Sequence, residues 1–175
     1  MQPLGHVLRA VCFAGSADAL CFYLELFFMP LFVPHEYVHF TLGDRLQKYN
    51  WKSTLPDLIP RLRTELVTVA HPYLSKLAFL DNVADTLKDR AQRGNPHTHE
   101  AYAYTCIMTD RISEASQALA TLLAMLDEKS EWQHEIGDRA RLIASKLSES
   151  VDTAKAQLLE WEEVTVRNLK LTEFR

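Results

Sequence analysis

The five residues His35-Glu36-Tyr37-Val38-His39 hold the one spacing in this chain with a defined chemistry attached to it. Two histidines four positions apart lie on one face of a helix and can share a zinc ion. A glutamate directly after the first can then act as general base toward the metal-bound water. Read this way, His35 and His39 are metal ligands, Glu36 is the catalytic base, and the reaction is metal-assisted hydrolysis.

This is the His-Glu-x-x-His signature of zinc metalloproteases, and its surroundings oppose it. The motif needs a helix, whereas Pro30 and Pro34 precede it and Val38, Phe40, Thr41 and Leu42 read as strand. In a strand the two histidines would stand about 13 Å apart, too far to share an ion. A third ligand is not placed either. The metzincin extension fails, with Leu42 where its glycine should be and Arg45 where its third histidine should be. Zinc is therefore the alternative cofactor, and the expectation is none.

A second pattern, Arg93-Gly94-Asn95-Pro96-His97-Thr98-His99, is similar to the loose Arg-x(4–6)-His motif of HEPN-type ribonucleases. There an arginine stabilises phosphate charge while a histidine handles a proton. The plain alternative is a polar loop leading into a helix. His97, His99 and His134 could gather round a metal, but nothing in their spacing requires it. The chain has no Gly-rich phosphate loop, nucleophile elbow or Cys–His signature.

The elements that would position these residues change character near residue 50. Residues 6–43 are rich in aromatic and β-branched residues and carry four formal charges, Arg9, Asp18, Glu25 and Glu36. Beyond residue 54 the chain is rich in Leu and Ala, densely charged, and apolar at helical spacing. The reading is α+β: a small antiparallel β-layer of about three strands over residues 6–43, then about six helices in hairpins. One domain spans residues 1–175, with a β-rich part to residue 50 and a helical part from residue 51.

The strands are expected at His6–Ala14, Leu20–Phe28 and Tyr37–Leu42, the last closed by Gly43-Asp44. In the second, even positions form a core face and odd positions a mixed one. Among the helices, Thr54 is the expected N-cap of a helix that Pro72 stops. A short helix comes next with Val83, Leu87 and Ala91 inward, and Arg93 to Pro96 breaks the chain. Further helices cover His97–Met108 and Ile112–Met125. One capped by Ser130 has Trp132, Ile136, Ala140, Ile143 and Leu147 inward. The last, opened by Ser150 or Asp152, has Ala154, Leu158, Trp161 and Val164 as its apolar positions. Trp51, Trp132 and Trp161 read as packing anchors.

Mild net charge, −4, and no basic stripe argue against nucleic-acid binding. Three cysteines without close spacing read as buried thiols of a reducing compartment. The apolar run at residues 19–34 is too short to span a bilayer and contains Glu25 and Pro30. A cytoplasmic protein without a membrane partner is expected.

Two resemblances add to this. The stretch from Ala101-Tyr102 through Ala115 to Leu119 resembles the helical hairpin of tetratricopeptide repeats, and it occurs once. The run Met29-Pro30-Leu31-Phe32-Val33-Pro34, then Val38 to Leu46, resembles an uncharacterised family of bacterial α+β proteins of unknown function. That likeness implies a β-layer followed by helices, with the histidine segment as a bend and a strand, and it implies no activity. The functional expectation is a protein-binding module (an adaptor, accessory subunit or immunity-type protein) without catalytic activity. A protein partner or a homo-oligomer is implied. Tyr37, Tyr102 and Tyr104 are the candidate contact residues, and Pro30–His39 is a second contact surface.

Overall fold

Strand β2 (Cys21–Pro30) has nine of its ten residues buried, so it must lie between two other strands and beneath cover on both faces. The computed structural model, which describes residues 5–18, 20–50, 52, 55–127 and 130–174, shows this arrangement. β1 (Val7–Gly15) and β3 (Gly43–Asn50) flank β2 in a three-stranded antiparallel sheet of order β1-β2-β3. The β1 register runs from Val7 opposite Pro30 to Gly15 opposite Phe22. The β3 pairing is irregular between Tyr23 and Glu25.

One face of the sheet carries Phe22 and Leu24, which pack with Tyr49 and Leu58. The other carries Met29, which packs with Leu31 and Val166, with Leu8 and Leu169 alongside. The expected mixed face of β2 is therefore also a core face. Its Glu25 is buried, and Arg45 of β3 meets it at 2.7 Å while lying 4.4 Å over the Tyr23 ring.

The third strand is not where alternation placed it. Residues 37–42 are irregular, and β3 begins at Gly43, where the strand was expected to end. Two local facts account for this. The Gly43 N–H donates to Phe40 O at 2.8 Å, closing a tight turn. A Cβ at Gly43 would also sit 2.9 Å from both Leu26 O and Phe40 O, so the chain enters the sheet where it has no side chain. β3 itself is polar because it is an edge, and its charged residues blunt that edge.

Pro72 does not stop the first helix. α1 (Leu55–Glu65) passes through a π segment (Leu66–Ala70) into α2 (His71–Lys76), with helical dihedrals at both junctions. Proline lacks the N–H and crowds the carbonyl four residues back. The wider π turn just before it, with His71 N–H bonded to Leu66 O, relieves both problems. The expected cap Thr54 and the anchor Trp51 lie outside the described residues.

The remaining helices keep the expected order: α3 (Leu80–Ala91), α4 (Pro96–Met108), α5 (Ile112–Met125), α6 (Glu131–Glu149) and α7 (Val151–Asn168). Counted with the continuous first rod, they are six among the described residues, several packed as consecutive pairs. Asn95 caps α4 by accepting from His97 N–H, and Ser150 caps α7 by accepting from Thr153 N–H. Ala101 and Ala115, both buried, let α4 and α5 approach closely. Trp132, expected inward, is exposed, and so is Val164 among the apolar positions of α7. Cys21 and Cys106 are buried and all three thiols are free. Among the described residues no helix is long and apolar enough to cross a membrane.

The largest core joins Tyr104, Ile107, Leu119, Leu122, Ile136, Ile143 and Leu158 of the helices to Phe28, Phe32, Val33 and Leu42 of the β-rich part. Phe32, in the bend after β2, is wholly buried. Phe32→Ala is expected to lower the unfolding free energy by about 3–5 kcal/mol, as for a core phenylalanine. Urea denaturation reads this directly, and a loss near that of a surface loop would show that the bend is not core.

Candidate functional site

The site grows out of the way the chain leaves β2. Leu31, Phe32 and Val33 continue inward as core residues, and Leu31 N–H donates to His6 O at 2.9 Å. The backbone is then stitched to α7. Thr165 Oγ1 donates to Val33 O and accepts from His35 N–H, each at 3.3 Å, and Asn168 Nδ2 donates to His35 O at 3.3 Å. This anchoring explains why α7 buries Thr165 and Val166 near its end and leaves Val164 outside.

Beyond His35 the chain loops away from α7 and His39 turns back. The Nε2 atoms of His35 and His39 lie 3.1 Å apart, with the rings edge to face and centroids 4.2 Å apart. Thr41 N–H points at His39 Nδ1 from 3.4 Å. With Nδ1 accepting, the neutral His39 ring carries its proton on Nε2 and donates it to His35 Nε2. In a strand the two histidines would be about 13 Å apart. A bend brings the two rings together instead.

Behind the pair opens a cavity of about 520 Å³ between the bend, α4, α6 and α7. His97 enters it from the start of α4, stacked on Trp132 of α6 with centroids 5.1 Å apart. Trp132 is 44% exposed because it covers this rim rather than the core. Arg139 of α6 also lines the cavity. It holds Glu100 of α4 through two hydrogen bonds, of 2.7 and 3.1 Å. Glu100 is only 1% exposed and Arg139 is half-buried, so this is a bidentate ion pair with its carboxylate in the interior.

The imidazoles are held neutral. Burial depresses His35 to about 3, helped by His39, Arg139 and His97 nearby. His39 is lowered by burial and then by His97. His97 is lowered by burial against the opposing pull of Glu100.

The zinc arrangement is not assembled. Residues 35–39 form no helix, and among the described residues no group of three or more His, Cys, Asp or Glu side chains is placed to hold a metal. Glu36 is exposed on the bend. The ribonuclease-like pattern is divided as well. Gly94 turns the chain with φ +73°, His97 faces the cavity, and His99 faces a groove of α3, α4 and α5 on which Tyr102 and Glu114 also lie. Arg93 lines neither. Among the described residues that line the histidine cavity there is no serine or cysteine, and Thr41 contributes an aliphatic hydroxyl.

Of the three tyrosines expected at a contact surface, Tyr37 is 71% exposed beside the cavity. Tyr104 is wholly buried, and its hydroxyl is raised well above its ordinary range by burial, then by Glu100. Tyr102 is buried and donates to Glu114 at 2.6 Å. Both are core residues because α4 is enclosed by α3, α5, α6 and α7. The Glu100–Arg139 pair leaves no local signal in the sequence, because its partners lie 39 residues apart on separate helices.

Comparison with protein-family models, curated proteins and solved structures finds no match. The reading of function rests on this geometry.

Two outcomes are expected. Unfolded histidine takes up a proton below about pH 6.5, whereas folded His35 resists until about pH 3. His35 therefore destabilises the fold progressively as pH falls through that window and has no such effect above it. His35→Gln is expected to flatten the fall in urea-measured stability between those pH values, and an unchanged slope would place His35 in solvent. Glu100→Ala, which leaves the half-buried Arg139 without its carboxylate, is expected to cost about 1.5–3 kcal/mol by the same method.

Proposed function

We propose that the protein is a binding module for another protein, in the manner of an adaptor, accessory subunit or immunity-type protein of the cytoplasm. Its contact surface is the bend over the histidine cavity. The carrying observation is a concentration of exposed apolar side chains there. Tyr37, Val38 and Phe40 project from the bend, and Trp132 and Val164 stand on the facing helices. Phe40 is braced edge-on against Phe27 at 4.9 Å, so part of this surface is fixed in advance. Large aromatic side chains around a depression are the composition that carries binding energy at protein interfaces.

The charges favour one kind of partner. The cavity wall holds the carboxylates Glu36 and Glu135, its imidazoles are neutral, and Arg139 is already engaged by Glu100. A partner that inserts a lysine or arginine between the two carboxylates, with apolar residues against Tyr37 and Trp132, complements this surface.

Tyr37→Ala and Trp132→Ala alter exposed side chains and are expected to leave the fold intact. Together they are expected to weaken a stoichiometric partner, captured from source cells by the tagged protein, by at least about tenfold. Titration of that partner against both proteins reads the effect. Equal affinity for the variant, or no protein retained by the wild type, would contradict the reading.

A further inference from the structure

A second surface lies on the opposite margin of the sheet, along β1. The bond from Leu31 N–H to His6 O makes that residue pair a hydrogen-bonded one. Pairs alternate along an antiparallel ladder, so the even residues of β1 bond inward to β2. Val7, Arg9, Val11 and Phe13 aim their N–H and C=O groups outward. Among the described residues no turn, loop or cap hydrogen bond engages these groups. Arg9 is the strand's one charged residue, and neither proline nor lysine protects the edge.

Beside this edge runs a groove of about 740 Å³. Arg9 and Val11 form one wall, and Leu66, Val67, Ala70 and Leu74 of the first helical rod form much of the other. Val67 is 61% exposed and Phe13, farther along the strand, is 60% exposed. The outward backbone groups and the groove-facing side chains belong to the same odd-numbered residues. A strand added to β1 therefore places every second side chain in the groove. Among the described lining residues, which include His71, Arg9 supplies the one guanidinium and none supplies a carboxylate, and one Arg9 N–H is given to Leu74 O at 2.8 Å.

We propose that this edge and groove bind an extended segment of another protein as a fourth strand. The segment carries apolar side chains at alternate positions and a carboxylate opposite Arg9. The charge distinguishes it from a second copy of this chain joined through β1, because β1 contains no carboxylate to offer. The surface is separate from the histidine bend, so the two proposals stand or fall independently.

The test selects linear peptides from a phage-displayed random library on the full-length protein, then measures the synthetic peptides by fluorescence anisotropy and amide hydrogen exchange. Enriched sequences are expected to alternate apolar residues and to include an acidic one. Binding slows exchange at Arg9, Val11 and Phe13, and Val67→Glu and Arg9→Met each weaken it by about tenfold or more. Phe13→Lys, at an exposed position, gives an independent check should Arg9→Met disturb the fold. The proposal is overturned if no peptide is enriched, or if the peptides bind Val67→Glu and Phe13→Lys as well as wild type. Protection at residues 36–40 instead of β1 also overturns it. So does sedimentation that finds a dimer whose β1 amides are already protected.

Discussion

The enclosure of β2 on both faces is the constraint on which the rest of the molecule depends. A sheet of three strands has one central position, and a central strand that is apolar on both sides needs two covers. The rod formed by α1, the π segment and α2 supplies one, through Leu58 and its neighbours. The end of α7 supplies the other, through Val166 and Leu169. The chain must therefore return to the sheet after five further helices, and Leu8, Met29 and Val166 meet although they come from opposite ends of the sequence.

The same constraint makes the bend. Because β2 ends deep in the protein, the residues after it are still inside, and Leu31, Phe32 and Val33 behave as core rather than loop. The chain can reach the surface only after His35, where Thr165 and Asn168 of α7 satisfy its backbone. Residues 36–42 then make a short excursion anchored at both ends, by α7 at one side and by the Gly43 turn at the other. An excursion of this kind presents side chains with little freedom, which lowers the entropy lost when they are covered. The neutral histidine pair beneath it and the Glu100–Arg139 pair behind it fill the polar part of the interior without leaving an unpaired charge.

Much of the fold was legible from one sequence. The change of texture near residue 50, the Arg93–Pro96 break and the Ile112–Met125 helix depend on local signals that nothing distant overrides. Strand β3 was not legible, because an edge strand carries a polar sequence, and the alternation of Val38, Phe40 and Leu42 imitated a strand. The rod through Pro72 was missed because a π turn absorbs a defect that normally ends a helix. The site was half legible. His35, Glu36, Tyr37 and His39 were singled out by type and spacing. Their geometry, and their joining to His97, Trp132 and Arg139, arise only from helices packed around a bend.

If a partner protein docks on the bend over the histidine cavity, as proposed, the side chain at position 37 lies against it. Replacing Tyr37 with a photoreactive phenylalanine analogue and irradiating the source cells measures this contact. A single cross-linked partner is expected from that position, and none from the analogue at exposed Ser116 on α5. Cross-links equally abundant at both positions, or none at Tyr37, would contradict it.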